Sequence, residues 1–158
     1  TVNELLAGEG ASTIAVIFGM DETDVRRVLA HPTTMIGSDG IPSIEGKPHP
    51  CLYGTFARVL GKYVRETGLL TLEDAVHRMT GLSAEKFHLT DRGLIRAGAY
   101  ADIVVFDPHT IADVGTYQEP RRYPPGVSYV VVNGRTVVDR GQHTGVCTGR
   151  LLRHRPMG

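Results

Sequence analysis

Apolar positions fall into two different periods along this chain. Residues 13–19, TIAVIFG, form a short continuous run rich in β-branched side chains, the pattern of a buried strand. Asp21 then stands as an N-cap, Glu22 and Asp24 suit the positive end of a helix dipole, and Val25, Val28 and Leu29 share a face. Pro32 disfavours helical backbone at the residue before it and closes that helix. A second short strand is predicted at 34–37, stopped by the pair Asp39-Gly40. Strand, helix, strand implies a parallel pair, because a helical crossover brings the chain back in the same direction.

The loop IPSIEGKPHP, residues 41–50, carries three prolines and is too irregular for a plain connector. After it Tyr53, Phe56, Val59, Leu60, Tyr63 and Val64 recur at three-four spacing, predicting an amphipathic helix stopped by Gly68. Thr71 caps a further helix with Asp74 three residues on. Its core face is Leu72, Ala75, Val76 and Met79, and His77 borders that face. Ser83 is expected to cap a short third helix, SAEKFHL. Beyond residue 90 the period changes to that of strands. Ile103 to Phe106 forms one, ended by Asp107-Pro108, and Asn133-Gly134 between two valine-rich runs is a hairpin signal. The chain therefore divides near residue 90 into a βαβαα half and a small β half, with no internal repeat and no low-complexity tract.

Composition narrows the function classes. At 158 residues the chain can bury the core of one ordinary domain. Lys and Arg together equal Asp and Glu at 17 each, so no net field favours nucleic acid or an anionic membrane as partner. No apolar run approaches the roughly 18 residues of a membrane span, and the opening TVNELLAGEG has neither a basic start nor a long apolar stretch. A cytoplasmic location is expected. Cys51 and Cys147 form no CxxC pair and are expected as free thiols. The first residue is Thr1 rather than methionine, which leads to the expectation of a longer parent chain.

Asp39 is the first chemical candidate. In parallel α/β sheets and barrels, active sites gather at the carboxyl ends of strands, and Asp39 occupies such an end. The competing reading is an Asx-type turn. His49 lies in the loop that leaves the same end and could approach Asp39. The other histidines form neither HxH nor HExxH, and neither cysteine has the spacing of structural zinc, so local motifs assemble no metal site. GxSxG, P-loop and GxGxxG motifs are absent from the sequence. Arg121, Arg122 and Tyr123 read as a solvated loop, and Arg150, Arg153 and Arg155 as a basic end.

Three stretches carry a family resemblance: TMIGSDGIP, KPHPCLYGTFARVLGKYVRE and LEDAVHRMTGLSAEKFHLTDRGLIRAGAYADIVVFDP. They resemble the D-aminoacylases, or N-acyl-D-amino-acid deacylases, of the amidohydrolase superfamily, from about Ala15 to Arg150. The resemblance implies an α/β fold: the carboxy-terminal part of a TIM-like (β/α)8 barrel in residues 1–90, then part of a small β-sandwich in residues 91–158. A whole barrel takes on the order of 250 residues. It also implies a zinc-dependent hydrolase acting on small N-acyl-D-amino acids, its main zinc ligands lying outside this chain in a missing amino-terminal barrel portion or partner chain. Asp39 matches the family's proton-carrying aspartate, which takes a proton from the attacking water, gives it to the leaving amine, and can touch a second, weaker metal. His49 would shape the substrate pocket. Cys51 stands where the family has an arginine that grips the substrate's α-carboxylate, and a thiol cannot make that ion pair. Either the substrate differs, or Lys47 or Arg58 substitutes, or carboxylate recognition is weaker. Two alternatives follow: an amidohydrolase acting on a cyclic or differently charged amide, and a non-catalytic module that needs a partner chain.

Overall fold

Helices form where a cap and a buried face coincide. The computed structural model describes residues 1–10, 17–44 and 46–153. Helix α1, Val2–Gly8, is closed by a reciprocal capping box between Thr1 and Glu4. Helix α2, Glu22–Ala30, starts as the sequence predicts: the Thr23 N–H donates to Asp21 Oδ1 at 2.7 Å. That bond stabilises the ionised carboxylate and holds the Asp21 carboxyl below its usual range. Val25 and Leu29 turn inward, whereas Val28 is 60% exposed and leaves the predicted face.

Helix α3, Cys51–Arg58, runs without a break into a wider π-helical stretch, Val59–Glu66, where the Thr67 N–H reaches back to the Lys62 carbonyl. Val59, Leu60 and Tyr63 are buried there, and Phe56 faces outward. Helix α4, Leu72–Met79, is capped by Thr71 Oγ1, which accepts the Asp74 N–H at 3.1 Å. Helix α5, Gly81–Lys86, begins earlier than predicted, so Ser83 lies inside it rather than at its cap. The Ser83 hydroxyl donates instead to the Arg78 carbonyl at 3.0 Å. His77 is exposed, and the residue turned inward at that end of α4 is its neighbour Arg78. Arg78 donates to the carbonyls of Leu29 and His31 at 2.8 and 2.6 Å and pairs with Asp74 at 2.8 Å. Its buried charge is thus compensated by an anion and by the carbonyls that end α2.

The predicted parallel pair is not found among the described residues. Residues 13–16 lie outside them. Ile17 and Phe18 are 87% and 80% exposed and join no ladder. Residues 34–37 form no strand either. A strand exists only where a neighbour accepts its backbone bonds. Here the Ile36 N–H donates to the carbonyl of Arg78 in α4, and Ile36 alone enters the core.

The sheet lies wholly in the second half: β1 Ile103–Phe106, β2 Val127–Val132, β3 Arg135–Asp139 and β4 Gln142–His143. Its order is β1-β2-β3-β4, antiparallel throughout, with β1 pairing β2 from Ile103 opposite Val131 to Phe106 opposite Val127. The predicted hairpin turn is present, with Asn133 and Gly134 both left-handed at φ 50 and 79, as a two-residue type I′ turn requires. One core joins the two halves: Ile36, Ala57, Val59, Leu60, Tyr63, Leu70 and Ala75 meet Ile111, with Phe106 and Val127 packed against them.

Candidate active site

The turn at Asp39 is shaped from both sides. Asp39 itself has φ +48, a left-handed conformation that Asp tolerates better than most residues. Next to it, a Cβ on Gly40 would lie 2.9 Å from the Leu52 Cα, so only glycine lets the first turn of α3 press against this turn. The Gly40 N–H donates to Ser38 Oγ at 3.2 Å. Asp39 is exposed.

That contact sets the first turn of α3 beside Asp39. Burial pushes the half-buried Cys51 thiol above its usual range, and the Asp39 carboxylate pushes it further the same way. Cys51 is therefore a neutral thiol at neutral pH. The Cys51 N–H donates to His49 Nδ1 at 3.1 Å, which leaves the imidazole proton to Nε2. Pro48 and Pro50, on either side of His49, are buried, while the His49 ring is exposed and stands edge-on to Tyr117 at 5.4 Å. Among the described residues no hydrogen bond joins His49 to Asp39. Sequence reasoning placed both at one end, and in the structure Cys51 adjoins both, its N–H bonded to His49 and its thiol facing the charge of Asp39.

Sequence reasoning missed what the β half contributes. Arg121, Arg122 and Tyr123 are exposed, as read, but Arg121 also donates Nη1 to the Ser43 carbonyl at 2.7 Å and Nη2 to the carbonyls of Ile44 and Gly46 at 3.0 Å. Tyr123 meets Tyr53 edge-on at 5.5 Å. Pro42, Ser43, Ile44, Leu52, Tyr53 and Tyr123 line an open groove of about 520 Å³. Asp113 lies against Gly54, where an added Cβ would come within 2.1 Å of Oδ1. It also pairs with Arg58 at 3.4 Å. The only local hint of all this is an arginine pair and a tyrosine between prolines.

Among the described residues no three His, Cys, Asp or Glu side chains come together as metal ligands. Zinc takes four ligands, and Asp39 would offer a single carboxylate. The described residues do not make up a zinc site. Among the described residues, too, no helix is long and apolar enough to cross a membrane.

The model of the amidohydrolase family matches residues 2–138. A D-aminoacylase of Alcaligenes xylosoxydans xylosoxydans is 52% identical over 138 residues, 87% of this chain and 28% of that protein. A crystal structure of a D-aminoacylase, described as defining a novel subset of amidohydrolases, superposes with a TM-score of 0.80 at 47% identity, over 91% of this chain and 32% of that one. An N-acyl-D-glutamate deacylase from Bordetella bronchiseptica, complexed with zinc and a phosphonate mimic of the tetrahedral intermediate, superposes with a TM-score of 0.73 at 52% identity, over 76% of this chain and 25% of that one. The chain thus spans between a quarter and a third of the length of these relatives.

Proposed function

The chain belongs to the amidohydrolase family, and on that premise we propose that it is the carboxy-terminal part of a zinc-dependent deacylase that cleaves N-acyl-D-amino acids to a carboxylate and a free D-amino acid. Residues 1–90 are then the closing portion of a TIM-like barrel and residues 91–158 part of a small β-sandwich. The zinc ligands come from the preceding barrel portion or a partner chain, and the whole works in the cytoplasm on a small-molecule substrate.

Asp39 supplies the proton chemistry. An amide nitrogen is a poor leaving group until it is protonated. As water adds to the amide carbonyl carbon, its proton passes to an Asp39 carboxylate oxygen. Asp39 then delivers that proton to the amide nitrogen as the C–N bond breaks, so the carboxylate is restored and one water is consumed per bond cleaved. The observation that carries this reading is the exposed Asp39 carboxylate on a left-handed turn locked against α3 by Gly40. In the full-length protein, Asp39→Asn keeps the size and removes the proton acceptor. We expect kcat to fall by about 10² to 10⁴-fold with little change in melting temperature. Turnover of the variant within a few-fold of wild type would refute the assignment.

A second reading, an amidohydrolase for uncharged or cyclic amides, is favoured by Cys51, whose neutral thiol offers no charge to a substrate carboxylate. Comparing kcat/KM for N-acyl-D-amino acids with that for the matching N-acyl-D-amino amides separates the two. A preference for the carboxylates of tenfold or more supports the leading reading.

A further inference from the structure

We propose that Arg121 is a positioning residue that fixes the loop of Ser43, Ile44 and Gly46 as one wall of a subsite, and that this subsite takes an apolar group of the substrate. The inference rests on the deacylase reading above and adds to it where substrate selectivity is set.

Three features carry it. Among its described residues the loop joins no ladder, and its Ile44 side chain is 98% exposed. One guanidinium from the β half holds it, bonded to the strand-free carbonyls of Ser43, Ile44 and Gly46 at 2.7 to 3.0 Å. A planar fork of fixed donors suits that task, because it accepts only one relative placement of the three oxygens. Among the described residues the groove so walled is lined by Pro42, Ile44, Leu52, Tyr53 and Tyr123 with the small Ser43, a mainly apolar set. Its position is the third feature. Leu52 is a wall residue and is also the residue whose backbone abuts Gly40, directly after Asp39. A substrate with its amide at Asp39 would therefore lay a neighbouring group into the groove. Both terminal nitrogens of Arg121, Nη1 and Nη2, are turned to backbone carbonyls of that wall.

The test uses the full-length protein with Arg121→Ala, Arg121→Lys and, as a control, Arg122→Ala, since Arg122 pairs with Glu119 three residues before it. Two readouts are taken: amide hydrogen exchange in peptides covering the loop and α4, and kcat and KM for two substrate series. One series lengthens the acyl chain on D-alanine, and the other enlarges the side chain of N-acetyl-D-amino acids. We expect Arg121→Ala to speed loop exchange about tenfold while α4 is unchanged, and to raise KM about tenfold for the bulkier apolar members of one series. The smallest substrate should keep its KM, and kcat should stay within about threefold throughout. The series that responds identifies the group that occupies the groove. Arg121→Lys should recover part of both effects, because an ammonium can still reach some of the carbonyls. Arg122→Ala should match wild type.

Unchanged loop exchange overturns the clamp. A faster loop with unchanged KM, or an equal loss for every substrate, overturns the subsite. If Arg121→Ala does not fold, Arg121→Lys decides by the same criteria. If the wild-type protein hydrolyses no N-acyl-amino acid at all, the deacylase reading and the subsite fall together, while hydrogen exchange still decides the clamp.

Discussion

At the scale of single residues, Asp39 acts on Cys51. A carboxylate next to a half-buried thiol makes the thiolate costly, because burial and like charge act in the same direction. The sign is direct: a raised pKa means less thiolate at any given pH, and thiolate is the reactive form. Iodoacetamide at pH 8 should therefore modify Cys51 more slowly than the exposed Cys147, read by mass spectrometry of the two peptides. Asp39→Asn should speed Cys51 while leaving Cys147 unchanged. Equal rates for the two thiols would contradict the proximity of Asp39. Asp39 and Cys51 were legible in the sequence as chemical candidates because residue type and motif context are local. The influence of Asp39 on Cys51 was not, since it depends on how α3 returns to the turn.

At the scale of elements, the well-read features were those whose cause lies within a few residues. Asp21 and Thr71 caps, the Asn133-Gly134 turn and the strand ended by Asp107 need no distant partner. The run at 34–37 failed because β-branched residues report a fit to a pleated surface, and pairing is decided elsewhere. The His77 reading failed by one position, about 100° around a helix: the apolar pattern identifies the face, but only the carbonyls ending α2 show why Arg78 is drawn in. Arg121 and its carbonyl partners are 75 to 78 residues apart, beyond any local pattern. Asp113 against Gly54 is a contact of the same kind and offers a packing test. Gly54→Ala should lower stability by about 1–3 kcal/mol, because backbone or carboxylate must move to admit the methyl group. Adding Asp113→Ala should recover part of that loss in a double-mutant cycle followed by thermal melting. Simple additivity would show that the methyl group is accommodated some other way.

For the whole molecule, the relation of chain to site matters most. The described residues hold a continuous core but no set of three metal ligands, and the chain spans 28% of the D-aminoacylase it matches. The 158-residue chain on its own should retain less than a tenth of an equivalent of zinc after equilibrium dialysis and show no deacylase turnover. Stoichiometric zinc with turnover in that chain would overturn the division of labour proposed above. The sheet carries a further consequence. Strand β1 is one of its two outer members and, among the described residues, pairs on one side only, with β2, while Val104 and Val105 are 55% and 49% exposed. Its outward N–H and C=O groups form an open template onto which another extended segment can add. Separated from its parent, the chain should self-associate through this rim as concentration rises, and a lysine in place of Val104 should keep it monomeric in sedimentation.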